Sequence, residues 1–343
     1  MIWQKYDIDD KLRMLQIVAD NKGIIDQAAE KDWWVTAVLK ALSNTSWGNG
    51  VLLFKGGTSL SKGWNLIERF SEDIDLIIDR SIFKKQDVIM KDETPQQRTK
   101  LRREAFRYIR DTLVDELNSQ LHLLGVTGYK IEFASDNSSA MLTVVNILYE
   151  SVLETKIDYI LPMIKIEFSC MAMKDPFEVV NIETLIHNEA GGDADEELSC
   201  KFPTVVPERT FLEKMFLLNE EFQRNNPRHQ RMARHLYDIE KIMDTDFAQK
   251  ALENTELYKE IVLHRKKFYN LHGVDYNKNH PGVIDFCPPQ EQADNWRSDY
   301  EKLQSTFIYG KSLTFDTLIK RLQKFIVDKI RPIQMQKPLT NSL

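Results

Sequence analysis

Apolar residues recur at helical intervals through the first fifty positions. Leu12, Leu15 and Val18 or Ala19 share one face, and Trp34, Val38 and Leu42 repeat every four residues with Val35 and Leu39 beside them. Both stretches predict helices with a buried side. Trp47-Gly48-Asn49-Gly50 breaks that rhythm as a turn. The period then shortens. Val51-Leu52-Leu53-Phe54 predicts a short buried strand, Lys55-Gly56-Gly57 ends it, and Thr58-Ser59-Leu60-Ser61-Lys62 can open a helix. Ser71-Glu72-Asp73-Ile74-Asp75-Leu76-Ile77-Ile78 predicts a second strand, completing a strand, glycine turn, helix, strand unit.

Further along, residues 95–124 predict one long helix. Phe106, Ile109, Leu113 and Leu117 supply its apolar stripe, and Gly125 and Gly128 end it. Residues 129–133, 141–149 and 164–169, rich in Ile, Val, Phe and Tyr, predict strands. Residues 187–197 are acidic and carry two glycines, which makes them the best linker candidate. Beyond them, residues 207–222, 231–243 and 315–330 predict helices, and the proline-containing stretch 281–292 predicts a loop. No internal repeat or low-complexity tract is visible. The pattern is that of an α+β protein with a mixed first part, residues 1–185, and a mainly helical second part, residues 200–343.

Composition agrees with this division. A chain of 343 residues corresponds to about two domains at roughly 150 residues each. A hydrophobic share of 42% with 29% charged residues fits a packed globular chain and argues against disorder. Forty-six Lys and Arg against fifty-two Asp and Glu give a net charge of −6. That excludes a uniformly basic coat but leaves room for a local basic path of the kind a phosphate backbone requires. Cys170, Cys200 and Cys287 are too scattered for a disulfide scaffold or a zinc site. The acidic, polar start MIWQKYDIDD does not read as a signal peptide. No run approaches the ~20 apolar residues of a membrane span. A cytoplasmic protein without membrane attachment is expected.

The sharpest chemical feature is Asp73-Ile74-Asp75. In a strand, alternation sends both carboxylates to one face and Ile74 and Leu76 to the other. Two acids held in this way suit magnesium, which takes hard oxygen ligands together with substrate phosphates. An isolated D-x-D occurs on many surface strands, so context decides. Gly56-Gly57 lies just upstream, where glycine permits a tight turn and a close backbone approach to an anion. The spacing is not that of a P-loop. Glu167, in the alternating segment Lys165-Ile166-Glu167, is the best third acid, and Glu132 competes with it on periodicity.

The segments Phe54-Lys55-Gly56-Gly57-Thr58-Ser59-Leu60-Ser61-Lys62 and Arg69-Phe70-Ser71-Glu72-Asp73-Ile74-Asp75-Leu76 resemble the AbiEii/AbiGii toxin family of nucleotidyltransferases. That family is similar in its core to DNA polymerase beta-like nucleotidyltransferases. The resemblance continues through Lys165-Ile166-Glu167, through Glu208-Arg209-Thr210-Phe211-Leu212-Glu213-Lys214, and through Arg231-Met232-Ala233-Arg234-His235-Leu236-Tyr237-Asp238, so it spans roughly residues 50 to 240. It implies a nucleotidyltransferase-type mixed sheet flanked by helices, with the helical C-terminal domain completing the cleft.

By the same resemblance, Gly57 and Thr58 match the glycine–hydroxyl phosphate motif, with Gly56, Ser59 and Lys62 as neighbouring nucleotide contacts. Asp73 and Asp75 match the paired metal ligands. Glu167 stands where relatives often carry aspartate, keeping a hard ligand on a longer arm. Lys214 is expected near the nucleotide phosphates, and Asp238 matches the last motif, where it can orient an arginine or help activate the attacking hydroxyl. Arg98, Arg102, Arg103, Arg107 and Arg110, together with Arg231 and Arg234, form candidate RNA contacts, with Lys100, Arg224 and Arg228 beside them; such charge runs are often only solvated helix faces. The implied activity is transfer of nucleotides from an NTP, with two Mg2+ ions, to RNA such as the acceptor end of tRNA. The implied setting is a toxin–antitoxin or phage-defence system with a cognate antitoxin. The alternatives are a nucleotidyltransferase that modifies a protein or small molecule, and a non-catalytic nucleotide-binding or interaction protein.

Overall fold

The computed structural model describes residues 2–83, 93–154, 161–190 and 198–334. The chain divides into two units, one formed by Met1–Asn65 and Phe70–Val205, the other by Leu66–Arg69 and Val206–Leu343.

The first unit starts with three helices, α1 (Ile2–Lys5), α2 (Ile8–Lys22) and α3 (Asp26–Ser43). Asp7 caps α2 by accepting the Asp10 N–H at 2.8 Å, and Gly23 ends it at φ 66°, a left-handed conformation that a Cβ would penalise. Most of α3 is buried, including three consecutive charged residues, Glu30, Lys31 and Asp32. Trp34 stacks on Tyr149 with centroids 4.7 Å apart, and Trp33 packs against Trp3 at 5.6 Å. β1 (Leu52–Lys55), α4 (Gly56–Lys62) and β2 (Asp73–Ile78) follow, the order the sequence predicts.

α5 (Pro95–Tyr108) opens on a reciprocal cap: Thr94 accepts from the Gln97 N–H, and the Gln97 side chain accepts from the Thr94 N–H. A π turn over Ile109–Leu113 leads into α6 (Val114–Leu123). The predicted long helix is therefore present, with one wide turn inside it, and Phe106, Ile109, Leu113 and Leu117 are its buried stripe. The remaining elements of this unit are β3 (Tyr129–Phe133), β4 (Thr143–Tyr149), β5 (Met163–Ser169), β6 (Phe177–Ile182), α7 (Leu185–Ala190) and β7 (Cys200–Val205). Helix α7 takes the first residues of the predicted acidic linker; residues 191–197 of that stretch lie outside the described residues.

Among the described residues the strands form one mixed sheet in the order β3-β4-β5-β2-β1-β7-β6. β2 runs parallel to β5 and β1 parallel to β7, while the other neighbours are antiparallel. Its central strands bury Leu52, Leu53, Phe54, Ile74, Leu76, Ile164 and Ile166 completely, and burial of such side chains contributes about 1.5–3 kcal/mol each. Cys170, Cys200 and Cys287 are buried free thiols.

The second unit is helical: α8 (Pro207–Glu221), α9 (Ala233–Ile242), α10 (Asp246–Glu253), α11 (Thr255–Phe268), α12 (Ala293–Thr306) and α13 (Phe315–Phe325), the last continued by a π turn over Ile326–Ile330. Phe211, Met215 and Leu218 of α8, Leu236 and Ile239 of α9, and Leu318 and Leu322 of α13 are buried. α9 starts later than the sequence predicts. Asp299 accepts the N–H groups of Arg231 and Ala233 at 2.7 and 2.8 Å, and Arg231 takes φ 59°. Arg231 therefore precedes the helix, whereas the predicted bounds of 231–243 place it at the first helical position. The architecture is α+β, a multi-stranded sheet flanked by helices with a mainly helical C-terminal region. No helix among the described residues is long and apolar enough to cross a membrane.

Candidate active site

The glycine turn and the acid strand meet at one point. Gly56 begins α4 at φ 84°, and a Cβ placed there would stand 2.3 Å from Asp75 Oδ2. Only glycine combines that backbone conformation with a carboxylate lying against it. The hydroxyls that follow are turned inward. Thr58 Oγ1 donates to the Asp73 carbonyl at 2.5 Å and shares a second hydrogen bond with Ser71 Oγ at 2.9 Å. Ser59 Oγ donates to the Gly56 carbonyl at 2.9 Å. Lys62 pairs with Asp32 at 2.5 Å and donates to the Glu183 carbonyl at 3.0 Å. Thr58 thus fastens the turn to β2 and Lys62 fastens it to α3, while Ser59 closes the turn on itself.

The predicted alternation is present in β2: Asp73 and Asp75 are partly exposed, and Ile74 and Leu76 are buried. Register then gathers charge into two cross-strand rows on that face. In one, Asp75 lies opposite Glu167 of β5 and Lys55 of β1. In the other, Asp73 lies opposite Lys165, which in turn faces Asn146 of β4, and Asn146 faces Glu132 of β3. Register distinguishes the two candidate third acids. Glu167 is on the strand next to Asp75, whereas Glu132 is three strands from β2, roughly 14 Å at the usual strand spacing, and pairs with Lys130.

Burial pushes the Asp73 carboxyl above its ordinary range, Lys165 opposes the shift, and Glu72, Asp75 and Glu167 add to it. Lys165 forms an ion pair with Glu167, and Lys55 lies 3.8 Å from Asp75. Behind this face, Lys31 of α3 pairs with Glu72 at 2.8 Å and donates to the Leu161 carbonyl at 3.1 Å. Lys31 and its neighbour Asp32 therefore support both arms of the turn-and-strand unit.

A second cluster lies within the helical unit. Asp238 is fully buried and takes a bidentate pair from Arg69, Nε to Oδ1 at 2.6 Å and Nη2 to Oδ2 at 2.7 Å. Lys214 joins it at 2.8 Å from Oδ2 and approaches His235 Nδ1 at 3.4 Å. Burial would raise the Asp238 carboxyl, but Arg69 and Lys214 outweigh it and hold it far below the usual carboxylate range. Burial lowers Lys214, with Asp238 opposing and Arg69 reinforcing the shift. Burial, Lys214 and Arg234 push the His235 imidazole well below its ordinary value, so the ring is neutral at pH 7. The sequence offered Asp238 either an arginine to orient or a hydroxyl to help activate; the arginine it pairs with is Arg69. Its position just before Ser71 in the second motif was the available signal, although the sequence assigned it no role.

The basic residues of α5 are unequal. Arg102 donates to Thr99 Oγ1 at 3.0 Å and to Met141 Sδ at 3.3 Å. Arg110, beyond α5, pairs with Asp111 at 2.6 Å. Arg103 and Arg107 are exposed beside Lys100 and line one open concavity with Pro95, Gln96, Thr99 and Glu104. In the helical unit Arg224 and Arg228 both pair with Glu221, at 3.3 and 2.7 Å.

No three His, Cys, Asp or Glu side chains among the described residues are grouped to hold a metal ion by themselves. The donor chemistry nevertheless fits magnesium, which is usually held by one or two carboxylates plus substrate phosphates and water rather than by an all-protein cage. Asp73 and Asp75 offer two hard donors on one face, and a cation there would offset both the burial and the neighbouring acids that raise Asp73.

The family model described as nucleotidyl transferase AbiEii toxin, type IV TA system, matches residues 37–321. Comparison with curated proteins gives no match. A similar solved structure is that of MenT4, a nucleotidyltransferase toxin from Mycobacterium tuberculosis H37Rv, at 16% identity and a TM-score of 0.48, covering 91% of this chain and 98% of that one.

Proposed function

This chain belongs to the AbiEii family of nucleotidyl transferase toxins, and on that premise we propose that it transfers a nucleotidyl group from an NTP to RNA, with the acceptor end of tRNA as the acceptor to test first. The observation that carries this reading is the register of β2 on β5, with Asp73 and Asp75 on one face, Glu167 opposite Asp75, and the Gly56 turn against the Asp75 carboxylate. A catalytic pair fixed by strand register rather than by a loop is held with little freedom.

Asp73 and Asp75, with Glu167, are the residues that would hold magnesium. When bound, the metal would lower the cost of ionising the acceptor hydroxyl and neutralise charge on the departing pyrophosphate. The backbone at Gly56 and Gly57 is the proposed cradle for the triphosphate, since the Thr58 and Ser59 hydroxyls already have internal acceptors. Within the helical unit, Asp238 favours the charged form of Lys214 against the effect of burial, and the family resemblance is what offers that charge for the phosphates. Arg103, Arg107 and Lys100 are the proposed RNA-backbone contacts. The type IV toxin–antitoxin description of the family supports a cognate antitoxin as a further partner.

Incubating the purified protein with total RNA, Mg2+ and each labelled nucleoside triphosphate in turn tests the reading. Label in RNA, lost with EDTA and in Asp75→Ala, is the expected result. Label in protein or in a small molecule, no label with any nucleotide, or full activity of Asp75→Ala overturns it.

A further inference from the structure

Two lysines stand among the three carboxylates of the acid face. Lys55 approaches Asp75 at 3.8 Å. Lys165 pairs with Glu167, its neighbour on the same side of β5, and is the register partner of Asp73. Its side chain is 36% exposed, so the head can leave without opening the core. Burial works to lower the Lys165 ammonium, but the hydrogen bond to Glu167 and the charges of Glu167, Asp73 and Asp75 outweigh it. By geometry the ammonium pairs with one proposed metal ligand, Glu167, and its residue stands opposite a second, Asp73. A lysine is a point charge on a flexible stem, whereas an arginine would grip Glu167 through two fixed hydrogen bonds.

We propose that Lys165 is a positioning residue that serves as an internal counter-cation for the acid face, and that a divalent cation entering at Asp73 and Asp75 displaces it from Glu167. The inference rests on the reading that those two aspartates hold the metal. It explains why Glu167, well placed opposite Asp75, is engaged by a lysine here: the same carboxylate is held by one cation or the other. Without Lys165 the three carboxylates repel one another more strongly in the metal-free protein, and the divalent ion meets no competitor at Glu167. With arginine in its place, the competitor is harder to remove.

Titration with Mn2+ followed by electron paramagnetic resonance, without nucleotide or RNA, tests this independently of activity. Lys165→Met is expected to tighten Mn2+ binding about tenfold, on the order of the removed charge–charge term at a partly exposed site. It should also lower the melting temperature of the metal-free protein while enlarging the rise on adding Mn2+. Lys165→Arg is expected to weaken binding. Lys130→Met, which removes the same charge from the ion pair with Glu132 three strands from β2, should leave affinity near the wild-type value. Unchanged or weaker binding in Lys165→Met, or an equal gain in Lys130→Met, overturns the proposal. Asp75→Asn separates it from the functional reading. If Asp75→Asn abolishes binding while Lys165→Met changes nothing, only the role of Lys165 fails. If Asp75→Asn binds as wild type, or the wild type binds no Mn2+, the reading of the acid face fails and takes this inference with it.

Discussion

Gly56 and Asp75 touch across a space that admits no further carbon: the Cβ of any other residue at position 56 would lie 2.3 Å from Asp75 Oδ2. The φ of 84° adds a second reason for glycine. Gly56→Ala should therefore destabilise the protein by about 1–3 kcal/mol through backbone strain alone. Because the clash displaces the Asp75 carboxylate, transfer should fall by about a hundredfold, as for an ångström-scale misplacement of a reacting group. Urea unfolding and a labelled-nucleotide assay read the two effects. A variant as stable and as active as wild type contradicts the geometry.

Asp73 bears the opposite kind of burden. Burial and the neighbouring acids raise its folded-state pKa. The folded protein therefore resists ionisation of this group, and the penalty grows as pH rises from the unfolded value of about 3.9 through the raised folded value. Asp73→Asn should stabilise the metal-free protein at pH 7 by about 0.5–2 kcal/mol, as relief of functional-site strain commonly does, and should abolish transfer. The gain should vanish below about pH 4, where wild-type Asp73 is protonated in both states. Thermal melts across pH measure it, and a loss of stability at pH 7 would count against the electrostatic account.

Asp238 works with the reverse sign. Its carboxyl is held far below the ordinary range, so its contribution is fully present above the unfolded pKa of about 3.9 and declines as pH falls from there through the folded value. Asp238→Ala strands the buried Arg69 and Lys214 charges and should cost about 3–5 kcal/mol. The gap between wild type and variant should be flat from pH 5 to 8 and narrow in stronger acid. Urea unfolding at several pH values checks this; a gap that widens toward acid would rule it out.

The first half of the site was legible in the sequence because a strand has a two-residue period: once residues 71–78 are a strand, Asp73 and Asp75 share a face. Alternation alone did not separate Glu167 strongly from its competitor Glu132, since the choice depends on which strand lies beside β2. Arg69 shows the harder limit, for its partner Asp238 is 169 positions away and no local pattern couples them. Strands β6 and β7 escaped for local reasons. β6 alternates poorly, with Glu178 and Val179 both exposed, and Pro203 inside β7 reads against a strand. Helix α12 hides only Trp296 and Tyr300, too little apolar surface to stand out by periodicity. Lys62 looked like a phosphate ligand, and nothing in sequence announced Asp32 as its partner.

That pair can be measured directly. Lys62 and Asp32 are both buried, at 8% side-chain exposure each, and Asp32 also accepts the Leu185 N–H at 2.8 Å. Asp32→Ala should destabilise by about 3–5 kcal/mol because it leaves the Lys62 ammonium buried without its counter-charge. Lys62→Met added to it should recover part of the loss, and the double-mutant cycle should show a coupling of about 1–3 kcal/mol. Additive effects, with a large rise in the KM for NTP in Lys62→Met, would instead assign Lys62 to the nucleotide.

The basic face of α5 gives a test of the acceptor class. Lys100, Arg103 and Arg107 line one open surface, Lys100 with a long 4.0 Å ion pair to Glu104, while Arg102 and Arg110 have closer protein partners. Electrostatic contacts to single-stranded RNA make log affinity fall with log salt by about 0.7 per phosphate engaged. Replacing Lys100, Arg103 and Arg107 together by glutamine should therefore lower RNA affinity at low salt and flatten the salt slope by about two. The KM for NTP should change little, because these side chains are assigned to the acceptor. The double variant Arg102→Gln/Arg110→Gln should have the smaller effect, since those arginines already have partners. Filter binding across a salt series separates the outcomes: an unchanged slope in the triple variant removes α5 from the RNA path, whatever happens to the rate.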